Sequence, residues 1–144
     1  MARFTHPAIT ASNTFAVQGG TTGTQPTFNG SPLFTGTYTL IDTLCHFALD
    51  VDMDNITSFG SGQYYMTLPF PAKRNYIFRD GCIHDISTEK QYSVSGHVLA
   101  GSTQLFLFST SSNGQDAPFT FNTPFTLSTQ DNFHLASTYE ISPS

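Results

Sequence analysis

The segment from Thr43 to Pro71 constrains the fold of this chain more than any other, because it pairs two alternating strands around a Gly-rich turn and stops at a double proline. Cys45, Phe47, Leu49, Val51 and Met53 fall on one parity, and His46, Ala48, Asp50 and Asp52 on the other. A strand built from them has one apolar and one polar face, whereas a helix would scatter both sets. Beyond Gly60 and Gly62, the run Gln63 to Leu68 is rich in aromatic and β-compatible residues. Pro69 and Pro71 then remove two ladder donors and close it.

The same signals recur downstream. Strands are predicted at about 35–41, 43–53, 63–68, 76–79, 82–87, 91–100, 103–110, 124–129 and 133–141, parted by turns at Arg79-Asp80-Gly81, Ala100-Gly101-Ser102 and Ser112-Asn113-Gly114. This spacing, with no helical period, predicts an all-β, jelly-roll-like β-sandwich. In the last strand Phe133, Leu135, Ser137, Tyr139 and Ile141 face the core, and His134, Ala136, Thr138 and Glu140 oppose them. The hairpin from Val98 to Phe108 departs from this rule. Leu105 and Leu107 suit one face, but Phe106 and Phe108 occupy the other and would be exposed on an isolated monomer. Outward rings on a strand imply a second layer or a subunit interface.

Residues 1–33 differ in kind from the domain predicted over 34–144. Gly19-Gly20, Gly23, Pro26, Gly30 and Pro32 among Thr, Gln and Asn make an extended N-terminal arm the expectation. Phe4, Ile9, Phe15, Val17 and Phe28 are spaced along it as the residues with which such an arm would dock on another surface.

A chain of 144 residues suits one domain plus an arm, large enough to bury about 68% of its unfolded surface without disulfides. Only 10% of residues are charged, against a usual value of about 25%, while 38% are hydrophobic. That balance fits a subunit that hides surface against neighbours. The net charge is −5, and the five basic residues lie at Arg3, Lys73, Arg74, Arg79 and Lys90. Neutralising phosphates requires clustered cations, so nucleic acid is not an expected partner. No long apolar run announces a membrane span or a signal peptide. Assembly in a cytoplasm is expected, with Cys45 and Cys82 as free thiols and Cys45 a small buried hydrophobe.

Candidate chemistry is thin. Asp50, Asp52 and Asp54, preceded by His46, set oxygen and nitrogen ligands along one strand face that could meet a hard cation. An EF-hand fails, because Asn55 stands where the loop needs Gly and Ser61 where it needs Glu. The favoured reading is a solvated polar face entering an Asx turn at Asp54-Asn55. His46, His84, His97 and His134 lie on predicted strands without a metal-ligand spacing, and His84-Asp85 could orient one another. The chain holds no nucleophile elbow, P-loop or dinucleotide fingerprint. Glu occurs only at Glu89 and Glu140, so no carboxyl pair for glycoside hydrolysis can be nominated. The expectation is a protein that is not an enzyme, with no cofactor and no metal.

The pattern G-x-Y-T-x-x-x-x-L-x-H-F from Gly36 to Phe47, followed by D-x-D-N-I-T-x-F-G-x-G-Q-Y-Y-x-T-L-P-F-P from Asp52 to Pro71, resembles a domain of tailed-phage virion proteins, especially those of marine and cyanobacterial phages. The resemblance continues through Gly81 to Asp85, Gly96 to Val98, Gly101 to Leu105 and Asp131 to His134, covering roughly residues 34 to 141. It implies a homotrimeric virion subunit: a capsid decoration, cement or head-fibre protein held by its arm, with other virion proteins, the major capsid protein first among them, as partners. The alternative it implies is a receptor- or glycan-binding tip domain of a tail fibre. There the loops 54–62 and 111–123 would present polar and aromatic groups to a host surface glycan.

Overall fold

The computed structural model describes residues 13–29, 34–54, 56–110 and 115–142, and among these the fold is all-β with no helix. Its strands are β1 (Asn13–Phe15), β2 (Gly19–Thr21), β3 (Thr27–Phe28), β4 (Phe34–Ile41), β5 (Leu44–Asp52), β6 (Ile56–Ser58), β7 (Tyr64–Thr67), β8 (Tyr76–Asp85), β9 (Lys90–Val98), β10 (Gln104–Thr110), β11 (Asp116–Pro118) and β12 (Asn132–Glu140). Nine of them run in the order β1-β4-β5-β12-β8-β9-β10-β7-β2, with β11 added beside β10, and β3 and β6 form a separate small sheet. All pairings are antiparallel. The large sheet curls so that its inner face packs on itself as a β-sandwich.

Parity decides which side chains enter the curl. Cys45, Phe47, Leu49, Val51 and Met53 are all buried, as are Phe133, Leu135 and Tyr139 of β12. Opposite them, Phe78, Ile83, Val94, Val98, Leu105, Leu107, Tyr64 and Met66 complete the core. Phe47 meets Phe78 and Tyr139 edge-on at 5.2 and 5.6 Å, and Phe119 meets Tyr64 and Phe133 at 5.6 and 6.2 Å. Such pairs contribute about 0.5–1.5 kcal/mol each beyond the area they bury.

The ends of the large sheet are consecutive pieces of chain. β1 pairs with β4 at one edge, residues 16–18 cross over, and β2 pairs with β7 at the other. A Cβ on Gly19 would lie 2.6 Å from ring carbons of Phe34 in β4, so the closure needs a glycine there. Within the segment read as an arm, β1 and β2 are therefore edge strands of the large sheet and β3 pairs with β6, while residues 1–12 and 30–33 lie outside the described residues. Pairing with distant strands fixes these short pieces, and local pattern does not reveal that.

Other expectations are corrected in the same way. The strands flanking the Gly-rich turn are not hairpin partners, since β5 lies between β4 and β12 and β7 lies between β10 and β2. The pieces expected at 76–79 and 82–87 are one strand, because Arg79-Asp80-Gly81 is an irregularity in the β8–β9 register and not a turn. No strand forms at 124–129. Pro124 lacks a donor, and the Leu127 N–H instead reaches the Phe121 carbonyl at 2.7 Å, burying Leu127 in a loop. The turn at Gly101 forms as expected, with φ +80°, while the one at Ser112-Asn113-Gly114 lies outside the described residues. Among the described residues no helix is long and apolar enough to cross a membrane.

Candidate functional site

The outer face of the large sheet has two halves, and they differ in chemistry. Across β7, β10, β9 and β8 the register places Tyr65, Phe106, His97 and Ile77 in one outward row. Phe106 tilts against Tyr65 at 5.9 Å, and Phe108 stacks on the His97 ring at 4.2 Å. Both phenylalanines are thus half-buried by cross-strand neighbours, where full exposure on the monomer was expected. Ile77 and Leu99, 56% and 67% exposed, extend the apolar surface sideways. Beneath it the Ser95 hydroxyl and His97 Nε2 are buried without a hydrogen-bond partner. Burial pushes the His97 pKa below its ordinary value, Asp116 opposing and Arg79 adding to the effect. Arg79 and Asp116 form an ion pair at 3.4 Å.

The other half of the outer surface, on β4, β5, β12 and β8, is polar. One row carries Thr35, Asp50, His134 and Cys82 on adjacent strands. His134 Nδ1 hydrogen-bonds Asp50 Oδ1, and His46 Nδ1 pairs with the Thr138 hydroxyl at 2.6 Å. His46 and Asp50 are thereby engaged with β12. The Asp52 side chain and Asn55 lie outside what is described, and Asp54 is exposed beyond the end of β5. Among the described residues, no three His, Cys, Asp or Glu side chains gather as a cation site.

His84 and Asp85 do not orient one another, since neighbours on a strand face opposite sides. Asp85 is buried and accepts hydrogen bonds from the Ser87 N–H and hydroxyl and the Thr88 hydroxyl, which hold its carboxyl below the ordinary range. Sequence reading also missed Asp131. It is buried and clamps two loops, accepting from the Ile86 N–H at 3.1 Å and the Ser128 N–H at 2.7 Å. Only its place before β12 hinted at this. Lys73 and Arg74 both pair with Glu140 at 2.8 Å.

The residues expected to anchor the chain separate into three groups. Phe15 and Val17 pack on the core cluster beside Phe34 and Gly36, bordering a groove of about 330 Å³. Phe28, 41% exposed, stays accessible on β3. Phe4 and Ile9 lie outside the described residues. Of the loop aromatics expected to face a glycan, Phe119 is core, Phe59 is partly buried against the core and Phe121 is exposed. Cys45, buried, and Cys82, half-buried, are free thiols on strands separated by β12.

Compared with protein-family models, curated proteins and solved structures, the chain matches none. Its surfaces must therefore carry the functional argument.

Proposed function

We propose that this chain is a structural subunit of a tailed-phage particle, a homotrimeric capsid decoration protein of the cement or head-fibre kind, assembled in the host cytoplasm. The aromatic outer face supports this reading best. Tyr65, Phe106, Phe108 and His97 form a ring-rich patch continued by Ile77 and Leu99, on a sheet whose other face already fills the core. An apolar patch framed by the Arg79–Asp116 ion pair suits contact with protein, and a second copy supplies the same chemistry. Attachment to the neighbouring capsid protein falls to Phe28 and the residues ahead of β1, including Phe4 and Ile9, because Phe15 and Val17 are committed to the fold.

The resemblance to phage virion domains supplies the particle, and the patch supplies the contact. Reconstruction of the intact particle tests both, with density for this chain expected as trimers on the capsid shell. Density at the tail tip instead would favour the adsorption role and overturn decoration.

A further inference from the structure

We infer that the polar half of the sheet carries a saccharide-binding site at the β5–β12 end, a property beyond the assembly role and independent of it. A hollow of about 320 Å³ opens there, lined by Asp50, Val51, Asp54, Gln130, Asn132 and His134. Ligand pockets span roughly 300–1,000 Å³, so this one admits a single sugar ring rather than a long oligomer.

The lining selects the ligand class. It holds no Lys or Arg, which speaks against phosphate or sulfate. Val51 is its one apolar side chain and is buried, while the other five lining side chains are polar. Carboxylates accept and carboxamides both donate and accept. A sugar hydroxyl that donates to Asp50 and accepts from Asn132 or Gln130 engages both kinds of group at once. A divalent cation needs a closed oxygen cage, whereas Asp50 is already engaged by His134 and no three such groups converge among the described residues.

The polar groups are held in place before any ligand arrives. His134 orients the Asp50 carboxylate, and Asn132 Nδ2 donates to the Gln130 carbonyl at 3.5 Å. Gln130 itself sits at φ +76°, a conformation rare outside glycine. The His134 ring, 64% exposed, offers a flat face for the C–H side of a pyranose.

The test is titration of the ¹⁵N-labelled full chain with methyl glycosides of mannose, glucose, galactose and N-acetylglucosamine, and separately with calcium chloride. At least one glycoside is expected to shift the Asn132 and Gln130 side-chain amide signals saturably. Asn132→Ala and Asp50→Asn should each weaken that binding about tenfold, a loss of roughly 1.4 kcal/mol, with native spectra otherwise retained. Saturation by calcium with all four sugars silent, no response to any probe, or sugar binding indifferent to both substitutions would each overturn the site. Particle attachment of Asn132→Ala is expected to be normal, so failure here leaves the assembly reading to be judged on its own test.

Discussion

The hydroxyl of Tyr139 makes a two-way hydrogen bond with the backbone of Phe70, donating to its carbonyl at 2.8 Å and accepting from its N–H at 3.1 Å. The residues are 69 positions apart. One side chain thus satisfies both backbone groups of a loop residue between two prolines, where regular ladder pairing is denied. Tyr139→Phe keeps the ring and orphans both groups. A loss of about 1–3 kcal/mol in urea unfolding is expected, and an unchanged midpoint would show that water replaces the hydroxyl.

Replacing both Phe106 and Phe108 with Ser should convert the proposed homotrimer to monomer. Burying a Phe side chain contributes about 1.5–3 kcal/mol, so two rings per subunit dominate a contact of this kind. Light scattering measures it directly. A wild-type chain that is monomeric at micromolar concentration would remove the trimer altogether.

Two acid transitions are expected, with different origins. His97 is held neutral by burial, so its folded pKa lies below the unfolded value of about 6.5. The unfolded chain then binds the proton more readily, and stability falls as pH drops below that value. Glu140, held low by the hydrogen bond from Lys73 with Arg74 beside it, and Asp85, held low by Ser87 and Thr88, act in a lower window. Their contribution is full above their unfolded values of 4.5 and 3.8 and is lost as pH falls through the folded ones. Melting temperature against pH should show both steps, and His97→Gln should flatten the upper one alone.

Thiol chemistry separates the cysteines. Burial pushes the Cys45 thiol up to about 11, with Tyr139 opposing, so Cys82 should react first with a disulfide reagent and Cys45 only on unfolding. Cys45→Ser should cost about 1–3 kcal/mol where its hydroxyl finds no partner. Equal labelling rates in the native protein would contradict the burial of Cys45 in the core.

Much of the fold was legible because parity is a local signal. The apolar set of β5 alternates without a break, and Phe133, Leu135 and Tyr139 of β12 do so around a half-buried Ser137; all of these apolar residues are buried. What stayed hidden depends on distant partners. Gly19 reads as a breaker until Phe34 is seen against it, and Asp131 reads as a loop polar residue until it clamps Ile86. The saccharide-binding candidate was half visible. Asp50 and Asp54 stood out in sequence, but Gln130, Asn132 and His134 join them only because β12 pairs with β5.

The crossover at residues 16–18 has a mechanical meaning. If the chain ahead of β1 holds it to a particle, tension on that tether loads the β1–β4 ladder first. A pull that strips β1 reaches β2 within three residues and peels it from β7. Both rims of the sheet would open in one event, so resistance to force is set by the unfolding rate rather than by equilibrium stability. The strand that such a tether would pull first is the one that holds one rim of the sheet closed.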